Sequence, residues 1–183
     1  MSKSQTPKWQ YYSTKVHTMP PHLRAWLLHS ASFIDRLKLH GVMHPRVKVL
    51  QEVWEVPFST ERKRLNMRFD EVALIREVLI LSEGTIWGFA RSVFPKQMLT
   101  GKESELAHLK TRSLGSVIFK DPTLTRSEFE ICELHPGMDW YQKVAHHVDL
   151  QDKPLWARRS LFNLQQKEFL LTEVFMPEIA TLC

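Results

Sequence analysis

Cysteine, long apolar runs and recognisable cofactor motifs are what this chain of 183 residues has least of, and each shortage closes a class of function. No uninterrupted apolar stretch exceeds a few residues, so none is long enough to span a bilayer. Met1-Ser2-Lys3-Ser4-Gln5-Thr6-Pro7-Lys8-Trp9 holds no apolar h-region and is not read as a secretory signal. Two cysteines, Cys132 and Cys183, make no disulfide framework and suit a reducing cytoplasm, the expected location. There is no glycine-rich phosphate loop and no nucleophile elbow. His40 and His44 flank Gly41 and precede Pro45, which breaks any helix that would align them on a metal; Cys132-x-x-His135 is half a zinc site without its other half. No metal or cofactor is expected. The net charge of +5 is small and unclustered, so nucleic acid is not an expected partner.

What is present is an ordinary globular composition, 43% hydrophobic and 25% charged, with the length of one domain. Residues 1–19 are polar and unpatterned and are expected to form an N-terminal arm, with Trp9 and Tyr11 packed down, ahead of a single domain over 20–183. Pro20-Pro21 opens a helical stretch that breaks near Ser30-Ala31-Ser32. Ser32 with Asp35 reads as an N-cap and Gly41 as a stop, so two short helices are expected. Val47, Val49 and Val53 then alternate in a strand ending at Pro57, and polar residues 59–66 read as a loop. Val72 to Leu81 is apolar on both faces, hence a central strand. Ser82-Glu83-Gly84-Thr85 turns it into a second strand over Ile86–Phe94. Residues 100–119 read as helix with a capping box at Thr100 and Glu103. Thr123–Cys132 alternates as a strand, 133–153 is the least patterned stretch, and Trp156–Leu164 with Phe169–Met176 reads as a final hairpin. The expected class is α+β, with an antiparallel sheet of about six strands.

The first hairpin raises a question of charge. A turn centred on Glu83-Gly84 places Ile80 opposite Trp87, Val78 opposite Phe89 and Arg76 opposite Arg91. Arg91 would then share an apolar face with Val72, Leu74, Arg76, Val78 and Ile80. Facing like charges destabilise a strand pair. An anion, from the protein or from a ligand, is expected over that face. In the last hairpin Glu173 is the one acid on a strand apolar on both faces. A turn at Gln166-Lys167 sets it opposite Ser160, with Arg158 two residues away. Two readings stand: a buried Arg–Glu–Arg network that only fixes the fold, or a pocket for an anion with two carboxylates, one per arginine.

The chain resembles the chorismate lyases. The resemblance is carried by Arg76-Glu77-Val78-Leu79-Ile80, Gly88-Phe89-Ala90-Arg91-Ser92-Val93-Phe94-Pro95, Ser113-Leu114-Gly115 and Leu124-Thr125-Arg126. Trp156-Ala157-Arg158-Arg159-Ser160 and Leu171-Thr172-Glu173-Val174-Phe175-Met176-Pro177 complete it, in family order over nearly the whole chain. It implies a monomeric, cofactor-free enzyme that converts chorismate to 4-hydroxybenzoate and pyruvate for ubiquinone, with the ligand buried beneath helical flaps. Family binding positions fall on Phe33, Arg76, Leu114 and Glu173, with Arg91 beside the ligand; the resemblance thus implies catalytic roles for Arg76, Arg91 and Glu173. Phe33 stands where the family pattern has Met, and the stretch from Ile131 to Trp156 is longer than that pattern, as a surface loop or an entrance cover. The other class is a non-catalytic effector-binding module of the same fold, as in some bacterial regulators. Those carry a winged helix-turn-helix ahead of it, whereas the first helix here is expected at Pro20-Pro21.

Overall fold

The computed structural model describes residues 6–15 and 19–182. In chain order the elements are β1 (Gln10–Tyr11), α1 (Tyr12–Lys15), α2 (Pro21–Leu27), α3 (Phe33–Leu39), β2 (Arg46–Glu55), α4 (Ser59–Arg64), β3 (Ala73–Ser82) and β4 (Thr85–Pro95). There follow 3-10 turns over Lys96–Leu99 and Gly101–His108, then α5 (Gly115–Ile118), β5 (Thr125–Arg126), β6 (Glu130–Leu134), α6 (Asp139–Ala145), β7 (Leu155–Leu164), β8 (Lys167–Phe175) and a 3-10 turn over Pro177–Leu182. The strands make one antiparallel sheet in the order β1-β6-β7-β8-β4-β3-β2, with β5 paired to β7. The class is α+β, and the strands beyond the expected six are short. β1 adds residues 10–11 of the expected arm to the sheet edge, and the expected strand over 123–132 splits into β5 and β6.

Local chemistry explains most of these elements. Ser32 Oγ accepts from the Asp35 amide at 3.4 Å and starts α3. Gly41, at φ +82°, takes the left-handed conformation that stops it. Three expectations are corrected. Residues 59–64 are helix, because Glu61 accepts the Phe58 amide at 2.9 Å and α4 buries that one side chain rather than an apolar stripe. The stretch 100–119 is not one helix but 3-10 turns and the four-residue α5; Thr100 makes no cap, donating instead to the Gln97 carbonyl at 3.0 Å. The unpatterned 133–153 stretch holds α6, whose Trp140, Tyr141 and Val144 are buried. Trp9 packs edge-on against Trp140, as expected, while Tyr11 is exposed. Cys132 is buried; Cys183 and residues 1–5 and 16–18 of the expected arm lie outside the described residues.

Both hairpin registers differ from expectation. Glu83 and Gly84, at φ +49° and +84°, make the expected turn, and Leu81 pairs with Ile86. The next pair is Ile80 with Gly88, so Trp87 is an extra residue, a β-bulge. Beyond it Glu77 faces Arg91 and Arg76 faces Ser92. One residue of slip moves a side chain to the other face, so Arg76 and Arg91 lie on opposite sides of the sheet. In the last hairpin the turn is Gln165-Gln166, both at positive φ, and Glu173 faces Arg158. That shift is two residues, so Glu173 keeps its expected face and changes its partner.

The sheet therefore carries two faces of different chemistry. On one, the rows Arg76–Ser92–Leu171–Ser160 and Val78–Ala90–Glu173–Arg158 run across β3, β4, β8 and β7. Helices α2 and α3 pack over this face on one side, and Leu106, Leu109, Leu114 and Ile118 cover it on the other. The opposite face carries the row Glu77–Arg91–Thr172–Arg159–Glu130, closed over by α4 and α6.

Candidate active site

Between the sheet and its first cover lies an apolar cavity. Its walls are apolar, with Phe33, Val78 and Leu114 among them, and its charged side chains are Arg76, Arg126 and Glu173. Of the residues expected at the site, Phe33, Arg76, Leu114 and Glu173 line this one cavity.

Arg91 does not. It is 1% exposed and sits on the far face, in a cage of three carboxylates. Nε and Nη2 donate to Glu61 at 2.9 and 3.1 Å, and Nη1 to Glu77 at 2.5 Å and Glu55 at 3.3 Å. Phe58 lies 4.8 Å from its guanidinium, and Lys143 of α6 reaches Glu77 at 2.9 Å. Burial alone would lower its pKa, but Glu61 and Glu77 outweigh burial and raise it. The expected facing pair of arginines is thus corrected: the bulge at Trp87 puts Arg91 into a closed structural network. The long 135–154 stretch covers that network with α6 and stays away from the cavity.

Arg76 is 2% exposed and only partly satisfied. Nε donates to Glu52 at 2.9 Å, and Nη2 to the carbonyls of Lys110 and Arg112 at 2.9 and 3.0 Å. Among the described residues no acceptor takes Nη1. Burial lowers its pKa more than Glu52 restores it, so a further anion would stabilise the cation.

At the other end Glu173 is shared. Its Oε2 accepts from Arg158 Nε at 2.7 Å and Arg126 Nη2 at 3.3 Å. Burial raises its pKa, yet Arg158 and then Arg126 outweigh burial and hold it below the usual carboxylate range. Glu173 is therefore an anion, ready to accept a hydroxyl proton in a hydrogen bond. Arg158 also donates from Nη1 to the carbonyls of Trp26, Leu27 and His29, at 3.1, 3.2 and 2.5 Å. These carbonyls lie at and just past the end of α2, so Glu173 is tied through Arg158 to the cover. Sequence reasoning placed Arg158 near Glu173 but gave Arg126 no role. The signal was Arg126 ending an alternating Leu124-Thr125-Arg126 stretch, hidden because β5 is only two residues long. Phe33 closes one wall, edge-on to Phe175 at 5.0 Å, and its ring rests on Gly88, where a Cβ would collide with it.

Residues 4–182 match the family model for chorismate lyase. A probable chorismate pyruvate-lyase of Nitrosomonas eutropha is 33% identical over 160 residues, 87% of this chain and 89% of that one. One from Nitrosospira multiformis is 30% identical over 182 residues, 100% and 99% of the two chains. Among solved structures, PhnF from Mycobacterium smegmatis aligns with a TM-score of 0.61 at 13% identity, over 82% of this chain and 66% of that one. Its effector domain alone gives 0.56 at 14% identity, over 82% and 91%. Those likenesses establish the fold, and the sequence matches together with the cavity lead to one conclusion. The chain belongs to the chorismate lyase family.

Proposed function

We propose that the protein converts chorismate to 4-hydroxybenzoate and pyruvate, the first committed step towards ubiquinone, as a cytoplasmic monomer that needs no cofactor. The observation that carries this reading is one apolar cavity with the partly satisfied Arg76 guanidinium on its β3 side and anionic Glu173 on β8. Chorismate is a ring with a carboxylate at C1, an enolpyruvyl ether at C3 and a hydroxyl at C4. Arg76 takes the ring carboxylate through Nη1, in a charge-assisted hydrogen bond. Glu173 accepts from the C4 hydroxyl, and Phe33 and Leu114 wall the ring.

The reaction is an elimination. The C3–O bond breaks with its electron pair going to the enolpyruvate oxygen, the C4 hydrogen leaves as a proton, and the ring becomes aromatic. That proton is made good on the enolpyruvate methylene carbon, giving pyruvate, so atoms balance without water or an electron carrier. Aromatisation drives the step; the protein's part is to hold the dianion in a reactive conformer and offset the charge that develops. Arg91 has no part in it, since its cage lies across the sheet. EDTA-treated protein incubated with chorismate is expected to release 4-hydroxybenzoate and pyruvate in equal amounts. Strict dependence on added metal would sink the cofactor-free reading, and binding of 4-hydroxybenzoate without turnover would favour an effector-binding module.

A further inference from the structure

Arg126 is the second guanidinium at the cavity wall, and its protein contacts leave it unfinished. Nε donates to Ser160 Oγ at 2.7 Å, Nη1 to the Ser30 carbonyl at 2.9 Å and Nη2 to Glu173 at 3.3 Å. Guanidinium has five N–H donors. One N–H on each Nη is therefore without an acceptor among the described residues. The rings of Phe129 and Phe162, 4.2 and 4.6 Å from its centre, fix its plane. With Arg158 beside it, this corner holds two guanidinium groups against one carboxylate, a net positive charge under an apolar roof. Burial, and then Arg158, pull the Arg126 pKa down to about 9, the behaviour of a cation short of an anion.

We propose that Arg126 is the residue that distinguishes substrate from product: it binds the enolpyruvyl carboxylate of chorismate, the group that 4-hydroxybenzoate lacks. The inference rests on the reading of the cavity as a chorismate site. With the ring carboxylate on Arg76 and the C4 hydroxyl on Glu173, the adjacent C3 ether lies at the Glu173 end. Arg126 on β5, which pairs with β7, lies four strand spacings from β3, roughly 19 Å, so the two long side chains reach inward from opposite sides of one ligand. Arg158 is committed to Glu173 and to the end of α2, and is not at the cavity wall. As the C3–O bond breaks, negative charge grows on the enolpyruvate next to its carboxylate, so Arg126 acts more strongly in the transition state than in the bound substrate.

The test compares a dianion with a monoanion. In Arg126→Gln, kcat/KM for chorismate is expected to fall by about 100-fold or more, the usual scale for truncating one partner of a buried charge pair. The Kd for 4-hydroxybenzoate, read by tryptophan fluorescence, is expected to change by no more than about threefold, because Arg158 still holds Glu173. Retained product binding also shows that the variant is folded. Arg126→Lys should recover part of the loss, while Arg76→Gln should weaken both ligands. Equal losses for chorismate and product in Arg126→Gln, or unchanged chorismate kinetics, overturn the inference while wild-type turnover leaves the functional reading standing. If wild type binds chorismate without turnover, that reading fails, and the comparison of chorismate and product Kd values still decides the role of Arg126. Wild type that does not bind chorismate overturns both.

Discussion

Two arginines of one hairpin, each almost wholly buried, have opposite relations to their surroundings. Arg91 is surrounded by Glu55, Glu61 and Glu77, of which Glu61 and Glu77 are at most 1% exposed. Arg91→Ala would strand those charges and is expected to destabilise the protein by about 3–5 kcal/mol, seen as a lower denaturation midpoint in urea. Arg76→Ala strands no buried carboxylate: Glu52 reaches solvent, and the Lys110 and Arg112 carbonyls belong to exposed residues. Its midpoint should stay close to that of wild type while kcat/KM for chorismate collapses. Loss of stability in Arg76→Ala with Arg91→Ala unaffected would reverse the assignment of the two faces. Glu173 supplies a pH test. Its folded pKa is depressed, so its stabilising contribution is complete above the unfolded value of about 4.3 and is lost as pH falls through the lower folded value. The stability gap between wild type and Glu173→Gln should be flat from neutral pH to about 5 and close only below that. A gap that already narrows near pH 6 would mean that Glu173 is not held anionic.

At the scale of elements, the bulge in β4 and the cover are one construction. Trp87 is the extra residue, and its carbonyl accepts the Met176 amide at 3.1 Å, just past the end of β8. Gly88 follows, and its bare backbone is the floor on which the Phe33 ring of α3 rests. A Cβ there meets that ring, and also comes within 3.1 Å of the Val174 carbonyl. Gly88→Ala must therefore push Phe33 into the cavity or lift α3 from the sheet. Either outcome weakens the bound product, so faster 4-hydroxybenzoate dissociation is expected in stopped flow, with an overpacking cost of about 1–3 kcal/mol. Unchanged dissociation would show that Phe33 is not part of the site. Helix α6 belongs to the other face, where Trp140 lies over the Arg91 guanidinium and Tyr141 is buried in the core beside it. The 132–155 segment thus adds to the core of that face and lines no part of the cavity.

At the scale of the whole molecule the cavity lies between the sheet and its helical cover. The sheet forms the floor, α2 and α3 with the 100–119 segment the roof, and Arg158 and Arg126 fasten the joint between α2 and α3 to the sheet. Exchange requires those bonds to open, and such motions commonly limit turnover. A rapid-quench experiment is expected to show a burst of 4-hydroxybenzoate close to one per site, followed by a slower steady state. Product that binds only the folded protein should also raise Tm with its concentration. Linear product formation from the first turnover, with no product inhibition, would contradict slow release.

Periodicity and local chemistry by themselves determined where the long strands lie, the break at Ser30, the N-cap at Ser32, the stop at Gly41 and the turn at Glu83-Gly84. Each of these depends on side chains within a few residues of one another. Glu173 was legible as a lone acid on a strand apolar on both faces, and Arg76 as a cation on a buried one. Tertiary structure alone decided which face each arginine takes. A bulge adds one residue without changing the turn, and the one at Trp87 is held by Met176, almost ninety positions away, and by Phe33 over Gly88. α4 escaped notice because the side chain it buries is Glu61, whose reason for burial is Arg91 on another element. Arg126 escaped for the same cause: its carboxylate, its serine partners and its aromatic clamp come from distant parts of the chain, and only packing brings them to one corner.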